Sequence, residues 1–263
     1  MSRSSLKSVQ KLIDIANKEE AIEDSFLHDL CRSIELTEEK SWGGIPSQTF
    51  KPSSMQCKRN SYYQIMGVQP DTGEASHVMI GIANSGTDIH VRTQDAVAGM
   101  KDNGIDCEYV DVGDYVESHN LKDIVVREKK GNETKLYNKR YNISFMCDGI
   151  IKYRGEYYIL EIKSETSNKW YSRSGVDKKH YNQGIAYSLS LGIDKVLFLY
   201  IERDMLNKKS YMFNVTHKMK DELVHYIESV DGYIERKIVP PKDDKDRRVC
   251  NYCAYQSQCR KDG

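Results

Sequence analysis

Residues 143–164, which read ISFMCDGIIKYRGEYYILEIKS, constrain the fold of this chain more than any other stretch, because they predict a β-hairpin. Both halves are rich in Ile, Phe, Tyr and Leu, residue types that favour strands. Arg154-Gly155 supplies the turn, since glycine readily adopts the positive φ that such turns need. We therefore expect a first strand that ends near Lys152 and a second strand that begins near Glu156.

The register of this predicted hairpin brings three charged residues together. If Tyr153 faces Glu156 across a two-residue turn, then Asp148 falls opposite Glu161, and Lys163 points to the same face. Directly opposed carboxylates have Cβ atoms about 4.5–5.5 Å apart and repel each other, unless a cation such as Mg²⁺ lies between them. The alternative is a solvated face with an ordinary glutamate–lysine pair, but these charges interrupt an otherwise apolar strand. The pattern indicates a metal site, and Asp–x12–Glu–x–Lys resembles the motif of the PD-(D/E)XK nucleases.

Three cysteines near the end of the chain form a C-x2-C-x5-C pattern: Cys250, Cys253 and Cys259. Thiolates this closely spaced are typical of a metal site. A tetrahedral zinc or a four-cysteine iron–sulfur cluster needs one more ligand, and Cys57, which is followed by basic and aromatic residues, is the natural fourth. The spacing by itself leaves zinc, or three free cysteines, as alternatives.

Length, charge and hydropathy limit the class of protein. The 263 residues suffice for one large domain or two small ones. Lysine plus arginine and aspartate plus glutamate each number 39, so a nucleic-acid-binding surface must be a local patch. No apolar stretch approaches the roughly 20 residues needed to span a bilayer, and the N-terminus lacks the apolar segment of a signal peptide. We expect a cytoplasmic protein without membrane contact.

The predicted helices and strands favour an α/β sandwich around a mixed sheet. Thr87 or Asp88 can cap a helix that runs to about Lys101, with His90 in its first turn. The other predictions are helices over residues 5–35, 177–191 and 217–230, and strands over residues 123–129, 134–141 and 194–202.

Together, the cysteines and the hairpin resemble the iron–sulfur RecB-like nucleases, which include CRISPR-associated Fe–S exonucleases, the AddB nuclease domain and related phage proteins. Cys57 followed by Lys-Arg and tyrosine, with the C-terminal cysteine pattern, carries this resemblance over about residues 52–259. It implies an α/β fold with a restriction-endonuclease-like core, closed by a C-terminal clasp in which the four cysteines hold a 4Fe–4S cluster. The predicted division is a helical extension over residues 1–50 and a nuclease domain over residues 51–263, ending in a cysteine tail over residues 246–263.

The resemblance also implies roles for residues around the hairpin. Relatives carry a metal-ligating histidine on a helix upstream of the motif aspartate, where this chain has His90, and use the carbonyl after the motif glutamate, here Ile162. A Gln-x3-Tyr helix follows, matched by Gln183 and Tyr187, which i,i+4 spacing places on one face. Many relatives have glycine where this chain has Phe145, and glutamate directly after the histidine, so the local fit to substrate differs here.

The function that this resemblance implies is metal-dependent cleavage of DNA, exonucleolytic on single-stranded ends. The predicted catalytic residues are Asp148, Glu161, Lys163, Gln183 and Tyr187. The predicted ligands of Mg²⁺ or Mn²⁺ are His90, Asp148, Glu161 and the carbonyl of Ile162. DNA contacts are predicted for Lys58, Arg59, Lys178, Lys179 and Tyr171.

Two alternatives stay open from the sequence. One is a non-catalytic DNA-binding or recombination factor that keeps the cluster for structure alone, against which the complete Asp–Glu–Lys set argues. The other is a zinc-stabilised endonuclease, since thiolate spacing does not separate zinc from iron–sulfur. DNA is the expected partner in each case, with recombination or replication proteins as further candidates.

Overall fold

A computed structural model describes residues 22–38, 41–42, 47–130, 133–242, 250–251 and 253–263. The helices are α1 (Ile22–Glu38), α2 (Lys58–Ile65), α3 (His77–Ala98), α4 (Val112–Ser118), α5 (Ser167–Tyr171), α6 (Tyr181–Leu191), α7 (His217–Arg236) and α8 (Gln256–Lys261), with 3₁₀ turns at Pro52–Ser54 and Lys178–His180. The strands are β1 (Ser41–Trp42), β2 (Gly73–Glu74), β3 (Cys107–Val110), β4 (Ile124–Lys130), β5 (Glu133–Asn138), β6 (Ile143–Cys147), β7 (Gly149–Tyr153), β8 (Glu156–Glu165), β9 (Lys195–Glu202) and β10 (Lys208–Asn214).

A five-stranded mixed sheet in the order β10-β9-β8-β7-β3 forms the centre of the fold. Strands β8 and β9 run parallel, and the other neighbours run antiparallel. Strand β9 reads KVLFLYIE, the near-continuous apolar run expected of a strand covered on both faces. The predicted α/β arrangement, with a mixed sheet flanked by helices, is confirmed.

Alternating side chains of β8 pack into two separate apolar clusters, one on each face of the sheet. Ile159 belongs to the larger cluster, to which α6 and α7 contribute. Leu160 and Ile162 belong to the smaller cluster, against which Ile89 and Val97 of α3 pack. This period-2 alternation places Glu161 on the face of the larger cluster, between residues of the apolar core.

Strands β4, β5 and β6 form a second, antiparallel sheet. The predicted continuous first strand of the hairpin is therefore wrong, since it breaks at Asp148 into β6, which pairs with β5, and β7, which pairs with β8 and β3. A close approach explains why a glycine follows the break: a Cβ on Gly149 would lie 2.7 Å from the hydroxyl oxygen of Tyr109. Glycine alone leaves room for that tyrosine at the point where the chain changes sheet.

The helix that carries His90 begins ten residues earlier than predicted, at His77 rather than at Thr87. His90 therefore lies in the middle of α3 and not in its first turn. The run HVMIGIAN continues the helical apolar pattern upstream, and Ile80 within it is 2% exposed. The elements that were not predicted are helices α2, α4, α5 and α8 and strands β1, β2, β3 and β10. Part of the predicted helix over residues 5–35 lies outside the described residues.

The described residues fall into two compact units. One contains α1 and residues 74–81, and the other contains the remaining described residues from Trp42 onward. Within the first unit, the Glu35 carboxylate accepts a hydrogen bond of 3.0 Å from the backbone N–H of His77. The predicted boundary after residue 50 stays a prediction. Across the described ranges, no helix is long and apolar enough to cross a membrane.

Candidate metal centre

Asp148 lies at the junction of the two sheets and is held there by three hydrogen-bond donors. Its Oδ2 accepts a hydrogen bond of 2.7 Å from the backbone N–H of Ile162. Its carbonyl accepts from the side-chain amide of Gln94 at 2.7 Å and from the hydroxyl of Tyr109 at 2.8 Å. The residue is 6% exposed, so its carboxylate has a fixed place in a nearly dry setting.

Glu161 reaches Asp148 through the register of the central sheet. The expected pair of Tyr153 with Glu156 is present, and the pairing of β7 with β8 continues to Gly149. The next residue outward is Asp148, so its partner position in that register is Glu161. The two predicted carboxylates therefore lie in neighbouring strand positions, as the motif requires.

The carboxylate of Glu161 is buried, and hydrogen bonds from the described residues reach only one of its two oxygens. It is 2% exposed, and its Oε1 accepts hydrogen bonds from Lys163 Nζ at 2.5 Å and Gln183 Nε2 at 2.6 Å. Its Oε2 is buried without a hydrogen-bond partner among the described residues. Burial, and then the nearby Asp148 carboxylate, raises the pKa of Glu161 to about 8, against the opposing effect of Lys163. An orphaned buried oxygen of this kind needs a partner, and a divalent cation supplies one.

Glu133, which the sequence did not single out, joins the site from the second sheet. Strands β5 and β6 pair as far as Thr134 and Cys147, so Glu133 is the next position, opposite Asp148. The Nδ1 of His90 lies 3.6 Å from Asp148 Oδ1 and 3.9 Å from Glu133 Oε1. Ligand atoms of these three residues all lie within 4.8 Å of one another. Pairing the predicted strand over residues 134–141 with the strand that follows it would have revealed this glutamate.

Gln183 and Tyr187 lie one turn apart on α6 and face the same carboxylate. Gln183 Nε2 donates to Glu161 Oε1 and also to the hydroxyl of Tyr187, at 2.7 Å. That hydroxyl donates in turn to the carbonyl of Met146 at 2.5 Å. Tyr187 is 2% exposed, and its ring stacks on Phe145 with 4.8 Å between centroids. Both predicted residues thus contact the site, and in this geometry they position Glu161 and the strand β6.

The carboxylates lie in a cleft of about 720 Å³. Four cationic side chains line it, of which only Lys163 was predicted from the sequence: Lys51, Arg127, Lys135 and Lys163. A cleft that combines acidic groups with a cationic lining can hold a divalent ion and a phosphate group together. Lys51 precedes a 3₁₀ turn, Arg127 lies on β4 and Lys135 lies on β5. Only the fold of the chain brings these three cations close to the Asp–Glu–Lys motif.

In sequence, Cys57 lies near the start of the larger unit and the other three predicted cysteines lie near its end. Side chains of α2, the helix that follows Cys57, contact two of those three. Asn60 Nδ2 donates to the sulfur of Cys253 at 3.5 Å. Arg59 donates to the carbonyl of Cys259 at 3.2 Å and to its sulfur at 3.4 Å. Burial, with the neighbouring thiols of Cys57 and Cys259 adding to it, raises the pKa of the Cys253 thiol. Three of the four predicted cysteines therefore share one neighbourhood.

The predicted DNA contacts divide into engaged and exposed residues. Arg59 is 6% exposed and also donates to the carbonyls of Pro240 and Gly263, so its guanidinium holds the C-terminal segment rather than facing solvent. Lys58 donates to the Ser229 hydroxyl at 2.7 Å. The other three, which are exposed, are Lys178, Lys179 and Tyr171.

Comparisons with known proteins find likenesses among solved structures only. No protein-family model and no curated protein matches the chain. A solved structure described as "Crystal structure of SSO0001" is 15% identical with a TM-score of 0.47, over 92% of this chain and 100% of that one. A likeness at this level carries no conclusion about activity.

Proposed function

We propose that this protein is a divalent-metal-dependent deoxyribonuclease that hydrolyses phosphodiester bonds, with single-stranded DNA ends as its preferred substrate. One observation carries the proposal: the buried Oε2 of Glu161, which has no hydrogen-bond partner among the described residues, lies in a cleft beside Asp148, with Lys163 on the same face. We also infer kinship with the iron–sulfur RecB-like PD-(D/E)XK nucleases, whose motif order the chain follows.

The residues present fit a hard divalent cation. Glu161 offers an oxygen without a hydrogen-bond partner in the described part of the chain, and Asp148 and His90, whose ligand atoms lie 3.6 Å apart, line the same cleft. The N–H and C=O of one strand residue point to the same edge, and the Ile162 N–H points to Asp148. The Ile162 carbonyl therefore faces the same edge as that carboxylate. Carboxylate and carbonyl oxygens suit Mg²⁺, and the imidazole shifts the preference towards Mn²⁺.

The chemistry assigned to the site is phosphodiester hydrolysis. A divalent cation held by Asp148, Glu161 and His90 would supply Lewis acidity to the phosphate and to the attacking water. Lys163, whose Nζ lies 2.5 Å from Glu161, orients the attacking water and offsets negative charge that develops on the phosphate. Gln183 keeps Glu161 in one rotamer through its 2.6 Å hydrogen bond. Lys51 and Lys135 bind flanking phosphates along the cleft.

We propose in addition that Cys57, Cys250, Cys253 and Cys259 hold a 4Fe–4S cluster that joins the two ends of the nuclease domain. The grouping of thiols around Cys253 supports this, because close thiolates without a cation repel one another. The donors from Arg59 and Asn60 to two of the sulfurs also suit ligating thiolates. No step of the hydrolysis needs this cluster, so its contribution is to folding.

Nuclease activity is tested by digesting end-labelled single-stranded, circular and duplex DNA with Mg²⁺, Mn²⁺ or EDTA. Asp148→Asn and Glu161→Gln should abolish cleavage with an unchanged circular dichroism spectrum. Glu156→Gln is the matched control, since it makes the same change on the same strand at an exposed position. Wild-type cleavage by Glu161→Gln would end the assignment, and DNA binding without cleavage by the wild type would favour the non-catalytic alternative.

The cluster is tested by anaerobic purification. The wild type should be brown and carry about four iron atoms per chain, the count of that cluster type. Cys253→Ser should lose the colour and much of its stability, whereas Cys107→Ser, at a buried thiol outside the set, should keep the iron. Stoichiometric zinc without iron would refute the cluster and favour the zinc-stabilised endonuclease.

A further inference from the structure

We propose that Arg127 and Tyr137 form a stacking site for one unpaired nucleobase of the bound strand, on the side of the cleft that the second sheet provides. This inference rests on the proposed function, because Arg127 lines the same cleft as the carboxylates. It assigns a role to two residues outside the Asp–x12–Glu–x–Lys motif.

The guanidinium of Arg127 lies over the ring of Tyr137, with 3.9 Å between its Cζ and the ring centroid. The tyrosine hydroxyl donates a hydrogen bond of 3.1 Å to the side-chain oxygen of Asn142, and Tyr137 is half-buried. The ring therefore has a fixed place and supports the guanidinium from one side. Arg127 itself is exposed and lines the cleft, so the guanidinium offers its remaining surface to a ligand there.

A β-bulge in β4 gives Arg127 this position. The residues on either side of Arg127 pair with consecutive residues of β5, so Arg127 is the extra residue of the bulge. A regular ladder would set Arg127 opposite Lys135, where two like charges repel. In the observed register Glu128 meets Lys135 instead, with 3.8 Å between Oε2 and Nζ. The bulge re-aims the arginine side chain, which reaches the ring of Tyr137.

The stacking site lies on the same face of the second sheet as the acidic end of β5. Glu133, Lys135 and Tyr137 alternate along β5 with buried residues, so the three share one face. Tyr137 is four residues from Glu133, or roughly 13 Å at the rise of a β-strand, and Glu133 lies beside Asp148. A base at Tyr137 therefore belongs to a nucleotide near the reacting phosphate, and Lys135 lies where it can neutralise a phosphate between the two.

The chemistry of this face suits a base and not a phosphate alone. Met146 pairs with Lys135 across the strands and is 43% exposed, so an apolar side chain lies among the charges of the cleft. Guanidinium planes and aromatic rings stack on nucleobases, and a thioether packs well against aromatic rings. A phosphate would gain from the charge of Arg127, but neither Met146 nor the ring of Tyr137 would contribute to its binding.

A stacking site of this kind separates single strands from duplexes. A base inside a duplex is stacked between its neighbours and has to leave the stack before a protein can reach it. An unpaired base presents its flat face at once, and because every base has such a face, the contact tolerates any sequence. Arg127 and Tyr137 therefore favour single-stranded DNA without reading its sequence.

Oligonucleotide binding to the full-length protein in EDTA, followed by fluorescence anisotropy, tests the site without cleavage. The probes are a labelled single strand and a strand of the same length whose nucleotides are all abasic, which keeps the phosphates and removes the bases. The wild type should bind the strand with bases roughly tenfold more tightly. Arg127→Lys keeps the charge but has no planar group, so it should lose most of this difference and bind the abasic strand as the wild type does.

The matched control is Arg140→Lys. It makes the same change at an exposed arginine outside the lining of the cleft, whose Cζ lies 5.3 Å from the ring of Tyr141, and it should keep the full difference between the probes. Tyr137→Leu removes the ring beside the guanidinium and should reduce the difference as Arg127→Lys does. Circular dichroism verifies that each variant is folded.

Two results would overturn the stacking site. One is a wild type that binds both probes equally or binds neither. The other is an Arg127→Lys variant that keeps the difference between the probes, or that loses affinity for both probes equally, as expected of a phosphate contact alone. DNA digestion with Mg²⁺ or Mn²⁺ separates this inference from the proposed function. Cleavage by a wild type that does not distinguish the probes refutes only the stacking site, whereas base-dependent binding that Arg127→Lys abolishes, without cleavage by the wild type, refutes only the nuclease.

Discussion

Glu161→Gln should stabilise the metal-free protein at neutral pH while it abolishes cleavage. Burial holds the pKa of Glu161 at about 8, whereas a glutamate in the unfolded chain has a pKa of about 4.3. Between these values the folded protein keeps a proton that the unfolded chain has released, so stability falls as pH rises. The free energy of unfolding falls by about 1.4 kcal/mol per pH unit, or by about 3 kcal/mol from pH 5 to pH 7.5.

Glutamine has the same shape as glutamate but does not titrate. The free energy of unfolding of the variant should therefore lack the decrease with pH that Glu161 causes. Its amide oxygen can accept the hydrogen bonds that Glu161 Oε1 now receives from Lys163 and Gln183. Urea denaturation in EDTA at about pH 5, 6, 7 and 7.5 gives the free energy of unfolding of both proteins. The advantage of the variant should grow with pH, while the exposed control Glu156→Gln should show no such gain. Parallel loss of stability in wild type and Glu161→Gln would refute the buried-carboxylate reasoning.

Three further substitutions test other parts of the structure. His90→Ala should raise the Mn²⁺ concentration needed for cleavage and leave the melting temperature nearly unchanged, with the exposed His225→Ala as control; a lower melting temperature with unchanged metal dependence would instead make His90 a core residue. Arg59→Met should lower the free energy of unfolding by about 3 kcal/mol in urea denaturation, because three backbone carbonyls lose their donor; an unchanged midpoint would contradict this role. Arg173→Met should cost about 3 kcal/mol or more by the same assay, because the 4% exposed Glu165 loses its bidentate partner, and a change below about 1 kcal/mol would contradict it.

Local periodicity determined the central part of the site. The turn at Arg154-Gly155 and the period of two along a strand are enough to set Asp148 opposite Glu161 and to place Lys163 on the same face. These relations join residues close in sequence, and the observed register agrees with them. The strand predicted over residues 194–202 likewise matches β9.

Tertiary structure decided which partners surround that motif. The hairpin strand breaks at Asp148 because its two halves belong to different sheets, and the choice of sheet depends on distant segments such as β3 and β5. That break is what brings Glu133 to the site. Tertiary structure also decided the role of Arg59. Its charge suggested a DNA contact, but its guanidinium donates to carbonyls of residues about 180 to 200 positions later in the sequence. Strand alternation is encoded within a few residues, whereas the partners of a buried polar group depend on how the whole chain packs.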